Sequence, residues 1–326
     1  MVAWPDSQCL FRQRSFVIVY SGSMDILSDE LSRARAQGAV FSVLHQVSPW
    51  GLRFEGHRPL TAHILLKGSG FLVREGTDPI PLQTRDVVLA TAGTPYEVVS
   101  EVGALTVPIA AAREKPLSPH DLDGPANAIV MCGAYVLSGS VGESLLQSLP
   151  AVAIVAGRDQ DPAHAAAIDL LAAEALAIDS GQQALLDRLL DVNLVYALRA
   201  WWRTTDAAPG WYRALGHPPI RTVLEQLHAD PALDWTLPAM ARAAGLSRAA
   251  FAAQFARIVG VPAGRYLTQL RMRRAEDALS RTDQTLASIA GSVGYSNEFA
   301  FATAFRRQHG VSPGRWRNSQ VEELTV

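Results

Sequence analysis

The sequence predicts an α+β multidomain chain: a small N-terminal β-barrel, a helical connector and an all-α C-terminal module with two helix-turn-helix units. Three observations carry this. Residues from Val40 to about Ile109 fall into short β-type runs punctuated by Gly and Pro. From Pro162 the pattern becomes helical and Ala/Leu-rich. After His217 a pair of helices, with its caps and stops, occurs twice.

The chain has 326 residues, a soft prior for two domains, and 48% hydrophobic against 18% charged residues, which supplies a sizeable core and argues against global disorder. Residues 1–23 show no clear pattern and are read as a leader. Initiation at Met24 would leave them, and Cys9, outside the native protein. Met24-Asp25-Ile26-Leu27 opens an amphipathic helix with Leu27, Leu31 and Ala34 on one face.

Strands are expected at Phe41–Gln46, Leu52–Phe54, Ala62–Leu66, Gly70–Val73, Val87–Ala90 and Tyr96–Val99. Lys67-Gly68-Ser69-Gly70 and Thr91-Ala92-Gly93-Thr94-Pro95 read as hairpin turns. Residues 111–127 read as a loop, and Ala128–Leu137 as a resumed strand. These elements set a first domain at 24–150. The connector, 160–210, holds helices at Ala163–Asp179 and Gln182–Trp202. The second lines up Leu186, Leu190, Leu194, Ala197, Leu198 and Trp201, a stripe suited either to dimerisation or to packing within one chain. Asp206–Gly210 reads as a linker.

The C-terminal module spans 217–319. Pro218-Pro219 starts a helix whose stripe is Ile220, Val223, Leu224 and Leu227, and Asp230-Pro231 ends it. In the first helix-turn-helix unit, 235–256, Thr236 caps Leu237–Ala244, Gly245 makes the turn and Ser247 caps Arg248–Val259. In the second, 284–307, Thr285 caps a helix to Val293, Gly294 turns, and Ser296-Asn297 opens Glu298–Gln308. Phe251 and Phe255 in one, and Phe301 and Phe305 in the other, sit four apart as core pairs. Between them runs a long helix, Ala263–Ser280, carrying Arg265, Arg271, Arg273 and Arg274, with Arg281 just after it.

Charge gives this module a partner. Residues 1–210 hold 15 Lys+Arg and 22 Asp+Glu, a net of −7, whereas 211–320 hold 14 Arg and 7 Asp+Glu, a net of +7. A basic module on an acidic one suits a polyanion. A helix-turn-helix lays its second helix in the major groove, and two units held by one rod suit grooves about 34 Å apart. The arginines would neutralise phosphates and release counterions. Double-stranded DNA is therefore the expected partner.

The repeated unit resembles the AraC/XylS family of bacterial transcription regulators. The resemblance runs through Ala241-x-Ala243-Ala244-Gly245-Leu246-Ser247-Arg248-x-x-Phe251, Gly260-Val261-Pro262-Ala263, Ile289-Ala290-x-x-Val293-Gly294-Tyr295 and Phe301-x-x-x-Phe305-Arg306-Arg307-x-x-Gly310-Val311-Ser312-Pro313-x-x-Trp316. Trp316 stands where the family commonly has Tyr. The resemblance implies base-reading positions at Ala249, Ala252 and Ala253 in the first unit and at Glu298, Phe299 and Thr303 in the second. Asn297 is adjacent, and Ser247, Arg248, Arg257, Ser296, Arg306 and Arg307 complete the DNA-facing set. The three alanines offer only methyl contact, while Glu298 can accept from cytosine N4. The resemblance also implies RNA polymerase as a partner and a homodimer reading paired half-sites.

Ser48-Pro49-Trp50-Gly51, His63-Ile64-Leu65-Leu66-Lys67-Gly68 and Asp86-Val87-Val88-Leu89 resemble the cupin-type sensor domain of one AraC subgroup. This implies a cupin-like β-barrel that binds a small-molecule effector or supports dimerisation, with His63, Tyr96 and Trp50 as candidate ligand contacts. The alternative is a metal-dependent cupin enzyme with a C-terminal docking domain. Such sites need two or three His and a carboxylate on one ion. Here His57 and His63 are six apart, and Tyr96 replaces the His that often follows the Gly-x-Pro turn, so no metal, cofactor or catalytic residue is expected. Cys132 is the candidate redox switch, against burial beside Val130-Met131. Two cysteines build no disulfide framework, and no run reaches the roughly 18 apolar residues of a membrane span. A cytoplasmic protein is expected.

Overall fold

A computed structural model describes residue 26 and residues 40–113, 127–135, 145–176, 179–205 and 208–323. The expected leader, Cys9 and most of the expected loop at 111–127 lie outside these, as does the Met24 helix apart from Ile26. That residue is fully buried in the core of the first helix-turn-helix unit.

Among the described residues, ten strands form two five-stranded sheets. One orders β1 (Val40–Gln46), β9 (Ala128–Tyr135), β3 (Leu60–Lys67), β6 (Val87–Thr91) and β10 (Val152–Val155). The other orders β5 (Ile80–Leu82), β4 (Gly70–Val73), β7 (Tyr96–Val99), β2 (Gly51–Phe54) and β8 (Val107–Pro108). β5, β8 and β10 were not anticipated, being only two to four residues long and, in two cases, interrupted by Pro.

Both expected hairpin turns prove to be crossovers between sheets. Residues 67–70 lead from β3 to β4, and 91–95 from β6 to β7, each into the opposite sheet. Gly and Pro reverse the chain, but the strand's hydrophobic partners decide whom it pairs with.

The first sheet is covered on both faces, so its inner strands β3, β6 and β9 bury most of their residues. From β3, Leu60, Ala62 and Ile64 face the helices, while Leu65 joins Leu44, Leu52, Leu72, Val88 and Val98 between the sheets. The covering helices are α2 (Pro162–Leu176) and α3 (Gln182–Thr204), with a short α1 (Ile109–Arg113) earlier in the chain. The stripe Leu186, Leu190, Leu194, Ala197 and Leu198 packs inward against this sheet, which settles its use as intrachain core. Asn193 secures the helix pair by donating to Ala167 O at 3.1 Å.

The expected linker is packed over its described part. Ala208 is buried in the sheet–helix core, and Gly210 opens a short helix α4 (Gly210–Arg213). A Cβ on Gly210 would lie 2.0 Å from Val259 O, so only Gly allows this approach.

The C-terminal module holds α5 (Pro218–Ala229), α6 (Leu237–Ala243), α7 (Arg248–Val259), α8 (Ala263–Arg281), α9 (Leu286–Ser292), α10 (Glu298–His309) and α11 (Pro313–Glu323). Its two cores share no buried residue. The first half of α8 serves one through Tyr266, Leu267 and Leu270, and the second half serves the other through Met272, Ala275 and Leu279. No described helix is long and apolar enough to cross a membrane.

Candidate DNA-reading surface and effector cavity

The two helix-turn-helix units repeat atom for atom in their punctuation. Thr236 accepts from Ala239 N and Thr285 from Ser288 N; Ser247 accepts from Ala250 N and Asn297 from Ala300 N. Each side chain satisfies one of the amide donors that a helix start leaves unpaired. Gly245 and Gly294 make the turns at φ 66° and 79°, and Leu246 N and Tyr295 N close them onto Ala241 O and Ala290 O. At Gly294 a Cβ would also meet Ala232 O and an Arg271 nitrogen at 2.7 Å. Phe251–Phe255 and Phe301–Phe305 lie 5.5 and 5.6 Å apart between ring centroids, all four fully buried. These rings point one face of each second helix inward and free the other.

The freed faces carry the expected DNA-facing residues. Ser247, Arg248, Ala249, Ala253 and Arg257 are exposed on α7 or its cap, with Ala252 half-buried. Ser296, Asn297, Glu298, Thr303, Arg306 and Arg307 are exposed on α10 or its cap, as is Phe299 at 76%. Several polar groups are already engaged. Ser247 and Asn297 are caps, and the Thr303 hydroxyl donates to Phe299 O at 2.9 Å. Glu298, one residue into α10, and the arginines in its last turn present charge outward.

The long helix corrects an expectation. Of its arginines, Arg271 donates to Pro231 O at 2.8 Å and Leu233 O at 2.9 Å, and Arg274 to His228 O. Burial holds the Arg271 guanidinium below its ordinary pKa, offset by nearby Tyr295 and Asp234. These two clamp α8 to the end of α5 and to the α5–α6 loop instead of facing phosphates. Arg265 and Arg281 are exposed, and Arg273 is half-buried. The fixed 3.6-residue period forces some of a dense arginine set inward, where backbone carbonyls take their donors. His309 Nε2 lies 2.9 Å from buried Glu276 Oε1, tying α10 to α8. Trp316 packs edge-on to Phe305 with ring centroids 5.8 Å apart.

A cavity of about 240 Å³ opens into the β domain. Its floor is buried Phe54, His63, Tyr96, Cys132, Gly133 and Ala134; Glu55, His57, Arg58 and Ala110 stand exposed at its rim, with Arg113 half-buried. Pairing of β3 with β9 sets His63 beside Cys132. Tyr96 Oη lies 2.6 Å from His63 Nε2 and 2.7 Å from Thr61 Oγ1. The Thr61 hydroxyl donates to Ala90 O, so Tyr96 donates to Thr61 and His63 donates to Tyr96 from Nε2. His63 Nδ1 is then an acceptor, buried and without a partner among the described residues.

Burial, helped by the charge of Arg113, pushes His63 down to about 3, so it is neutral at physiological pH. Burial pushes the Cys132 thiol up to about 12, with Arg113 opposing. Of the expected ligand contacts, His63 and Tyr96 line the cavity. Trp50 packs in the inter-sheet core and does not line it. Thr61, Arg58 and Arg113 were missed. Alternation along β3 puts Thr61 on the His63 face, which is legible, but nothing local joins Arg58 to Arg113. His57 sits on the rim and His63 on the floor, and among the described residues no three potential ligands gather as a metal site would require.

A cupin family model matches residues 25–203, and a helix-turn-helix domain model matches residues 240–319. A putative AraC-like transcription regulator of Streptomyces antibioticus is 30% identical over 303 residues, covering 90% of this chain and 98% of that protein. The chain belongs to the AraC-type regulators. The HTH-type transcriptional regulator AlkR of Acinetobacter baylyi is 26% identical, with 90% and 99% of the two chains covered. The RCS-specific HTH-type transcriptional activator RclR of Escherichia coli is 30% identical over 60% of this chain and 69% of its own. The AraC-type assignment makes the protein a DNA-binding transcriptional regulator with a cupin N-terminal domain, not an enzyme.

Proposed function

We propose that this AraC-type regulator is a ligand-responsive, sequence-specific homodimer acting in the cytoplasm, with its effector in the β-domain cavity and its output read through RNA polymerase. The observation that carries the sensing half is the unbroken packing from cavity to reading head. Tyr135, next in β9 to the cavity wall, donates to Leu190 O of α3 at 3.1 Å. At the other end of α3, Trp202 packs on Trp211 and Tyr212, with centroids 5.5 and 4.9 Å away. From there Gly210 abuts Val259 and Arg213 donates to Ile258 O, both at the C-terminal end of the first recognition helix. A ligand that shifts β9 thereby acts on α7 through contiguous packed elements.

On DNA, the first unit contributes backbone and methyl contacts and the second discriminates bases through Glu298. Nineteen residues of α8 rise about 28 Å, a length suited to neighbouring major grooves. Genome-wide mapping of bound sites, with salt-dependent binding to the recovered fragments, tests this reading. No enriched motif, or affinity that ignores salt, defeats it.

The dimer half rests on a second stripe on α3. Leu185 is 52% and Val192 42% exposed, and Leu170 of neighbouring α2 is 57% exposed. Light scattering on Val192→Lys is expected to show a monomer where the parent shows a dimer. An unchanged dimer places the interface elsewhere.

A further inference from the structure

The cavity carries a chemical signature that names its ligand class. This inference rests on the reading of that cavity as the effector site. The groups that keep a charge around it are unbalanced. Among the described residues of the wall, Arg58 and Arg113 supply two guanidiniums, while the one carboxylate, Glu55, already faces Arg53 with Nε–Oε1 at 3.0 Å. This surplus sits within residues 1–210, whose net charge is −7. Arg113 Nε is buried and has no hydrogen-bond partner among the described residues. Burial lowers the Arg113 pKa, with Arg58 acting the same way and Cys132 opposing. A half-buried guanidinium that lines the cavity beside a second cation is a group short of an anion.

Below the rim the wall turns apolar, with Phe54, Ile109 and Ala134, and the floor holds the neutral His63–Tyr96 pair. The cavity of about 240 Å³ has room for a short-chain or single-ring molecule.

We propose that the cavity binds a small organic acid, its carboxylate between Arg58 and Arg113 and its apolar body against Phe54 and Ile109. Guanidinium–carboxylate pairing there gains from partial exclusion of water and from planar two-point geometry.

The test uses the full-length chain and matched probe pairs: benzoate with benzamide, and hexanoate with hexanamide. Calorimetry and thermal shift are run at constant ionic strength, with sodium chloride as the control salt. The acids are expected to bind and to raise the melting temperature, and the amides to do neither. Arg58→Gln, at an exposed position that the fold tolerates, and Arg113→Gln are each expected to weaken benzoate by about 10- to 100-fold. Arg113→Lys is expected to retain part of the affinity.

Amides binding as well as acids, with no effect of either arginine change, overturns the acid class while leaving the effector cavity in place. Acids that bind through the two arginines without altering affinity for promoter DNA uphold the acid site and remove its effector role. A shift reproduced by chloride alone, or no binding by either acid, overturns the proposal.

Discussion

Phe305→Ala tests the claim that the DNA-binding module consists of two separately built cores on one rod. Phe305 is fully buried, with ring centroids of Phe301, His309 and Trp316 at 5.6, 4.3 and 5.8 Å. Deleting a buried phenyl ring typically costs about 3–5 kcal/mol, which includes the cavity left behind. Against the roughly 5–15 kcal/mol of a whole domain that is a large loss. It falls on a small core, whose other buried members are Met272, Ala275 and Leu279 from α8 and Ile289, Ala290, Val293 and Phe301 from the second unit, none of them shared with the first core. At about 1.4 kcal/mol per tenfold, a 4 kcal/mol loss raises the opened population of that unit by roughly a thousandfold.

Hydrogen exchange read by mass spectrometry on the full chain resolves the two units. Amides of α9 and α10, Leu286–Ser292 and Glu298–His309, are expected to lose protection by about that factor. Those of α6 and α7 are expected to change by less than tenfold. Equal loss in both units would refute the two-core account, since it would mean that α8 transmits unfolding instead of dividing it.

Three further outcomes follow from the same geometry. In a site-selection assay Glu298→Ala is expected to relax preference at one base position, by about 1–3 kcal/mol, whereas Ala253→Asp weakens all sites alike by adding an anion where α7 meets DNA; equal relaxation by both contradicts the division of labour. His63 is held at about 3 when folded against an ordinary 6.5, so between those values the unfolded chain binds the extra proton and stability falls as pH falls, by at most about 1.4 kcal/mol per pH unit. Urea unfolding at pH 7, 6 and 5 is expected to show a shallower acid loss in His63→Gln, and identical slopes exclude this source. Cys132, held at about 12, is expected to alkylate at pH 8 roughly a thousandfold more slowly than an ordinary thiol near 8.5; labelling at the ordinary rate, mapped to the Cys132 peptide, would revive the redox switch.

The sequence alone determined everything governed by short-range rules. Caps, turn glycines and phenylalanine pairs repeat within about 50 residues, and each acts on backbone groups or neighbours three and four residues away. The double helix-turn-helix, its exposed faces and the basic charge of its module were therefore legible, and most helix ends fell within a residue or two of where punctuation put them. Strand existence was legible through alternation, but strand partners were not. The turns at 67–70 and 91–95 look the same whether they close a hairpin or cross between sheets, and only burial of both faces of the central sheet selects the crossover.

The cavity was decided by tertiary structure alone. Arg58 lies in the turn before β3, Arg113 ends α1, and Cys132 belongs to β9, so their meeting depends on how the two sheets close. Likewise Trp50, though flanked by turn and strand signals, went into the core because its large apolar surface gained more from burial there than at the rim. The arginines of α8 carry the same lesson: composition counts charges, but the helix's rotation and the carbonyls it meets decide which of them reach solvent.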